Sequence, residues 1–484
     1  MTKKDKIKVL FVASEVAPFS KTGGLGDVAG SLPSALRARD ADARVVFPKY
    51  KTIKPETIEK IEFVTEFTVH LSWRSQPARV YSVPDPNDGA PAYLIENDFY
   101  FGRDGLYGYG DDFERFAFFS KAAVEMLSHI NFKANILHFN DWQTGLGCTY
   151  LRDIYKGFTF YSGMKSLFTI HNLHYQGVFN REVLWSVGLD DGYYTGGTLE
   201  FYKNVSFLKA GVVHSDAVLT VSQTYAEEIQ TPKFGYGMDG LLWKRGLEGR
   251  LLGIGNGIDT KANDPATDKR IYVNYDKTSL KKKRENKYRL QEQLGLPVGD
   301  MPMISMVTRL VDQKGIDIID VAQRELFSKD IQFVMIGTGE GRYERMFWNY
   351  ASWYPQKVRA NICFDDTLAT RIYAASDLFL MPSKYEPGGL GQLFAMCYGS
   401  VPIVRQTGGL ADTVRHFNPA TGQGNGFVFK DYDASGLMWA VNEALTLYGT
   451  DKWETVITNG MSEDFSWNKS AGEYLQLYEK ILHS

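Results

Sequence analysis

Short apolar runs recur along the chain, each closed by polar residues or glycines, at the lengths of fully buried strands. In the first half they cover 9–13, 43–47, 136–139, 166–170 and 217–221. In the second half they cover 303–307, 331–336, 361–364, 378–381 and 401–404. Between them the apolar positions return every three to four residues, as over 114–127, which is the spacing of a helix with one buried face. Alternation of this kind predicts an α/β fold built on parallel sheets with helices on both faces.

The pattern breaks once. After the turn at 256–259, the stretch Lys261-Ala262-Asn263-Asp264-Pro265-Ala266-Thr267-Asp268 has linker composition. Two doubly wound domains are therefore expected, over 1–259 and 260–460. The tail, 461–484, closes with a helix carrying Trp467, Ala471, Tyr474, Leu475, Tyr478 and Ile481 on one face.

Two loops stand out because each joins an apolar run to a helical stretch through glycines. Lys21-Thr22-Gly23-Gly24-Leu25-Gly26-Asp27 offers backbone N–H groups, a helix N-terminus and a lysine, which suits an anion such as phosphate. The same features also describe a tight turn with a surface lysine. Glu386-Pro387-Gly388-Gly389-Leu390 adds a carboxylate that could bind sugar hydroxyls beside N–H groups that could hold a phosphate, or that could simply cap the helix. Thr407-Gly408-Gly409-Leu410-Ala411-Asp412 echoes the first loop. Lys21, Asp141, His171, Arg309, Phe364 and Glu386 all follow apolar runs, and ligands of doubly wound sheets bind at the carboxyl ends of strands. With two such domains, the cleft between them is the expected site.

These pieces, in this order, resemble the bacterial glycogen synthases, the family that includes plant starch synthases. The resemblance rests on Ser14-Glu15-Val16-Ala17-Pro18 with the Lys21 loop, Asn140-Asp141-Trp142-Gln143, Thr169-Ile170-His171-Asn172 and 234–240. It continues through Asn256-Gly257-Ile258-Asp259, Thr308-Arg309-Leu310 to Lys314-Gly315, the Glu386 loop and 407–412. It implies a GT-B fold, two Rossmann-like domains facing across a cleft, with the terminal helix crossing back to the first. It also implies a retaining glucosyltransferase that moves glucose from ADP-glucose, or alternatively UDP-glucose, to an α-1,4-glucan acceptor.

On that resemblance Arg309 and Lys314 grip the leaving diphosphate, which places side-chain cations where other transferases use a metal ion. His171 lies beside the donor glucose and Glu386 contacts its hydroxyls. Lys21 with Gly23 and Gly24, and Gly388, Gly389 and Leu390, belong to the two loops. Asp141, Asn172 and Asn256 line the sugar pocket, as does Asp27 unless it only caps a helix. Phe364 occupies the place of an adenine-stacking aromatic, usually tyrosine. The family usually has cysteine at Gly388 and threonine at Gly391, and loss of that hydroxyl is expected to weaken donor binding.

Composition narrows the rest. A chain of 484 residues is too long for one core. Its net charge of −3 gives no reason to expect a nucleic-acid partner. The one basic block, Lys281-Lys282-Lys283-Arg284, is expected to be a solvated helix start. Three scattered cysteines without a Cys-x-x-Cys pair support neither disulfides nor zinc, and Cys148 and Cys363 sit in apolar runs expected to be core. No stretch reaches the ~18 apolar residues of a membrane span, so no membrane partner is expected and a soluble, cytoplasmic protein is.

No metal or cofactor is expected either. Asp40-Ala41-Asp42 and Asp431-Tyr432-Asp433 have the form used by metal-dependent transferases, but Asp433 reads as a helix N-cap and the first pair lies in a polar connection. A nicotinamide enzyme is the chief rival, through Gly337-Thr338-Gly339-Glu340-Gly341 with Asp365 ending the next strand. Arg342 stands where the last glycine of that fingerprint belongs. A noncatalytic glucan-binding protein is the third possibility, with Phe99-Tyr100-Phe101, Tyr107 and Tyr109 as stacking surface.

Overall fold

A computed structural model describes residues 6–83 and 90–483. The chain divides into two compact units: the residues up to Gly257 together with those from Trp467 on, and Ile258–Ser466. The first crossing comes two residues before the boundary expected at 259/260. The return comes at 466/467 rather than 460/461, because helix Asp451–Met461 still belongs to the second unit. The two crossing segments are tied side by side, with the Ile258 N–H donating to the Phe465 carbonyl at 2.8 Å.

The first unit holds a nine-stranded sheet. Its order is Leu251–Gly253, Ala217–Thr220, Lys165–Ile170, Ile136–Asn140, Lys8–Val12, Asp42–Pro48, Ala92–Glu96, Ser75–Val83, Glu62–His70. The first seven are parallel, and the last two join antiparallel as a hairpin at the edge. That hairpin has no apolar run to announce it. Glu62–His70 alternates in burial and leaves Phe63 exposed, as an edge strand with one face toward solvent does.

The second unit is a six-stranded parallel sheet ordered Val358–Asn361, Gln332–Ile336, Met303–Val307, Leu378–Met381, Val401–Arg405, Phe427–Phe429. In chain order this is 3-2-1-4-5-6, the doubly wound arrangement. The parallel part of the first sheet follows the same rule, extended by one strand. Each sheet therefore reverses direction once. In the first unit that switch point lies between Lys8–Val12 and Ile136–Asn140, and in the second between Met303–Val307 and Leu378–Met381. Helices leave neighbouring strands there on opposite faces, which opens a crevice at the strands' carboxyl ends.

Nine of the ten expected strands form within one residue of the expected limits. The exception is 361–364. The strand is Val358–Asn361, and it ends where the Asn361 side-chain amide donates to the Met335 carbonyl at 2.9 Å. Ile362 and Cys363 then leave the sheet at its edge, so Cys363 is exposed rather than core, while Cys148 is buried as expected.

The C-terminal helix Trp467–Leu482 packs on helix Gly24–Ala38 of the first unit. It buries Trp467, Ala471, Tyr474, Leu477, Tyr478 and Ile481; Leu475 packs on the same core but only partly buried. Ser470 donates to the Gly255 carbonyl at 2.8 Å, and the Arg39 guanidinium donates to Asn468. The basic block does start a helix, Lys281–Leu294, but it is not wholly solvated. Lys283 is buried with its ammonium on the Ala374 carbonyl at 2.8 Å, and burial pushes that group down to about 7.

Candidate active site

The switch point of the first unit gathers two segments. Strand Lys8–Val12 leads into Ser14 and Glu15, and strand Ile136–Asn140 leads into Asp141. Glu15 changes the picture of the glycine loop. Its carboxylate accepts the N–H of Thr22 and, at 3.3 Å, that of Gly23, together with the Thr22 hydroxyl at 3.2 Å. Burial raises the Glu15 pKa despite those bonds. The loop does bind an anion, but that anion is the chain's own carboxylate. Lys21 pairs with Asp27 at 2.7 Å, both partly exposed. Asp27 lies in the first turn of helix Gly24–Ala38 but is not its N-cap, which is Gly23. The Gly24 N–H at the helix start makes no hydrogen bond among the described residues.

Asp141 is held in a strained backbone conformation, φ = 55° and ψ = 178°, rare for a residue with a Cβ. Its N–H donates to the Thr169 carbonyl at 2.9 Å and its Oδ1 accepts the His171 N–H at 2.7 Å. Burial pushes its carboxyl up to about 7; the bonds from the His171 and Asn172 N–H groups oppose this, and the charge of Glu15 adds to it. Burial pushes His171 down to about 3, so the ring is neutral. Asn172 accepts the His174 N–H at 3.1 Å. Asn256, at the end of the first unit, has a buried Oδ1 with no hydrogen-bond partner, an acceptor left over for a ligand or a water.

In the second unit the switch point carries Arg309 and Lys314 on one side and the Glu386 loop on the other. Lys314 meets Glu386 at 2.6 Å, and the Ser383 hydroxyl donates to the same oxygen, Oε2, at 2.9 Å. Glu386 is 5% exposed, and its Oε1 takes no hydrogen bond among the described residues. It does not cap the helix that follows: Gly391–Cys397 starts five residues later, after Leu390. Arg309 is exposed, and its guanidinium has no hydrogen-bond or ion-pair partner among the described residues.

The two loops are zipped together. Gln313 donates to the Tyr385 carbonyl at 3.2 Å, and the Lys384 N–H returns to the Gln313 carbonyl at 2.8 Å. Gly315, at φ = 70°, lies where a Cβ would come within 2.0 Å of the Pro382 oxygen. Behind them Arg405 donates to the Ser383 carbonyl at 2.8 Å. The segment 407–412 serves the same loop, with the Gly409 N–H on the Glu386 carbonyl at 3.0 Å. The N–H groups of Gly388, Gly389 and Leu390 make no hydrogen bond among the described residues. A Cβ at Gly391 would sit 3.2 Å from the Phe379 ring, so this helix start is already crowded where the family usually carries threonine.

Other sequence features resolve differently. Phe364 is 91% exposed, three residues past the strand it was expected to end, so it is not a core phenylalanine. Gly337 and Gly339 let their loop close on the one bearing Arg309: a Cβ there would come within 1.8 Å of the Thr308 oxygen and 2.2 Å of the Leu310 oxygen. Asp365 caps helix Asp366–Ala375. Asp433 caps Ala434–Leu447 through the Gly436 N–H at 2.7 Å, as expected. Tyr100 and Phe101 are fully buried, so only Phe99 of that trio could stack on a sugar. No cluster of metal-ligating side chains occurs among the described residues, and none of their helices is long and apolar enough to cross a membrane.

Glu15 and Asn140 lie within the sequence motifs but have no role assigned there, and Ser383 lies outside them. For Glu15 the signal was there: a charged residue directly after a buried strand at a sheet's carboxyl edge has to be satisfied by something nearby.

Comparison with known proteins follows the same division. Residues 8–244 match the family described as the starch synthase catalytic domain, and 289–460 match the glycosyl transferases group 1. The glycogen synthase of Clostridium novyi (strain NT) is 47% identical over 481 residues, 99% of this chain and all of that one. The glycogen synthase of Desulforudis audaxviator (strain MP104C) is 48% identical over 490 residues, covering 98% and 97%. The solved catalytic domain of starch synthase IV from Arabidopsis thaliana, bound to ADP and acarbose, superposes with a TM-score of 0.91 at 34% identity, covering 99% of this chain and all of that one.

Proposed function

The chain belongs to the glycogen and starch synthase family of glycosyltransferases, with its GT-B fold, and we propose that it lengthens α-1,4-glucans by transferring glucose from ADP-glucose to the non-reducing end, with retention at the anomeric carbon. The observation that carries this is the pair Lys314–Glu386, buried at a switch point, with Arg309 on the loop of Lys314 and its guanidinium unpaired among the described residues. A buried ion pair with a second cation free is suited to receive another anion. The diphosphate of a nucleotide sugar brings that anion, and its charge grows as the bond to the sugar breaks.

In this scheme the anomeric carbon–oxygen bond to the diphosphate breaks, and ADP leaves with the bonding pair, stabilised by Arg309 and Lys314. An acceptor hydroxyl forms the new glycosidic bond and gives up its proton, which leaves to water as ADP is released. Gly388, Gly389 and Leu390 offer N–H groups to the phosphates, and Glu386 Oε1 accepts from a glucose hydroxyl. Asp141, His171, Asn172 and Asn256 serve the sugar, and Lys21 with Gly24 the approach of the acceptor or the phosphate. Phe364 offers an exposed ring face to a base. The ADP and acarbose held by the starch synthase relative support both ligand classes.

The test is incubation with a maltooligosaccharide and either ADP-glucose or UDP-glucose. Products one glucose longer, with new α-1,4 linkages by NMR and faster extension from ADP-glucose, are expected. Faster extension from UDP-glucose would replace the donor, and no extension from either would overturn the activity.

A further inference from the structure

Asn140 ends strand Ile136–Asn140 at the switch point of the first unit and is fully buried. Its side-chain nitrogen faces two carbonyls, Val12 at 3.0 Å and His138 at 3.1 Å. Carbonyl oxygens only accept, so the NH2 group must be on that side and Oδ1 on the other. Oδ1 lies 2.9 Å from Nε2 of His171. An amide oxygen cannot donate, so the proton of that bond is on the histidine.

We infer that Asn140 is a positioning residue that locks His171 in the Nε2–H tautomer, so that Nδ1 presents a bare lone pair to a hydroxyl group of the bound sugar. The ring's own surroundings agree. A neutral imidazole carries one proton, and with Nε2 holding it, Nδ1 can only accept. Nδ1 has no hydrogen-bond partner among the described residues, and His171 is only partly buried. The ring is fixed at its root as well, because the His171 N–H is bound to Asp141 Oδ1 at 2.7 Å. Asn140 is itself held from three sides: by the Val12 and His138 carbonyls and, through its own N–H, by the Thr144 hydroxyl at 2.6 Å. The amide therefore cannot flip without breaking two bonds to the sheet.

The consequence for recognition is directional. A sugar hydroxyl can donate to Nδ1, whereas an acceptor-only group such as a phosphate oxygen or an ether meets an unfavourable lone pair. Asn140 thus contributes to selectivity for hydroxylated ligands without touching them. The identity of the ligand rests on the glucosyltransferase proposal; the tautomer does not.

The experiment is long-range 1H–15N correlation of the full chain with 15N-labelled histidine, His171 being assigned by its loss in His171→Gln. The expected result is a protonated nitrogen coupled to both ring carbon-bound protons, the mark of Nε2–H, in a single tautomer. In Asn140→Ala the His171 signals should become a tautomeric mixture. Glucosyl turnover should fall about tenfold, and adding Asn140→Ala to His171→Ala should cost nothing more, because residues acting as one unit are not additive. An Nδ1–H tautomer in the unaltered protein, or additive losses in the double variant, would overturn the inference. Should Asn140→Ala not fold, the spectrum of the unaltered protein alone decides. If that spectrum shows Nε2–H and no glucose is transferred, the proposed activity falls and the tautomer stands.

Discussion

The two glycine loops begin from nearly the same sequence logic and end in different physical states. Each follows a strand at a switch point, each leads into a helix, and each joins a lysine to a carboxylate. In the first loop the pair Lys21–Asp27 is partly exposed, and a second carboxylate, Glu15, already takes the Thr22 and Gly23 N–H groups. In the second loop the pair Lys314–Glu386 is buried, and the Gly388, Gly389 and Leu390 N–H groups are unspent. A lysine, a carboxylate and glycines after a strand can therefore settle into two different local states. What distinguishes the two is burial of the charges and whether the backbone donors are already satisfied.

The sharpest way to break this comparison is to remove the buried cation. An exposed pair is worth little, but a buried one leaves an uncompensated charge when either partner is lost. Lys314→Ala is expected to lower glucosyl turnover about 10²–10³-fold, as for other preorganised charge stabilisers. Turnover close to that of the unaltered protein would remove Lys314 from the site. Glu386→Gln keeps the shape and takes away the charge; turnover should fall about 10²-fold while donor affinity changes far less. Equal kinetics in both parameters would leave Glu386 as a scaffold residue.

Smaller effects are expected at the rim. Phe364→Ala should raise the donor KM about tenfold, within the ~1–3 kcal/mol of aromatic–base stacking, and leave turnover at saturation unchanged. The ring is exposed, so the melting temperature should not move. A lower melting temperature with an unchanged KM would place the adenine elsewhere.

Asp141 makes stability depend on pH. Its folded pKa of about 7 lies above the ordinary ~3.9 of the unfolded chain, so the folded state holds the extra proton between those values. Its contribution to stability is complete below the unfolded pKa and is lost as pH rises to about 7, with a slope of about 1 kcal/mol per pH unit. Asp141→Asn removes that slope, so the variant should gain stability relative to the unaltered protein between pH 5 and 7. Parallel denaturation midpoints over that range would contradict the assignment.

The parallel cores were legible because strands buried on both faces are written as continuous apolar runs, and the motif residues fall where those strands end. The hairpin Glu62–His70 with Ser75–Val83 was not, because one-sided burial dilutes its apolar signal to alternation. At 361–364 the pattern was misleading: Ile362, Cys363 and Phe364 are apolar, but they lie beyond an edge strand, where Ile362 packs only partly on the core and Cys363 and Phe364 are exposed. Lys283 failed for the opposite reason, since a lysine inside a basic run gives no hint that helix packing will bury it. Within the site, single residues could be placed on loops, but a pairing such as Lys314 with Glu386, on loops that follow two different strands, depends on which strands become neighbours. That is set by the tertiary fold and not by local sequence.

Titration of ADP into the full chain tests most directly whether the second loop, rather than the first, carries the diphosphate. Lys314→Ala should weaken ADP binding about tenfold or more, because it removes a charge-assisted contact in a buried setting. Lys21→Ala, which removes a solvent-screened charge, should weaken it less than about threefold. A larger loss in Lys21→Ala than in Lys314→Ala would contradict the account and make the Glu15-bound loop the diphosphate site.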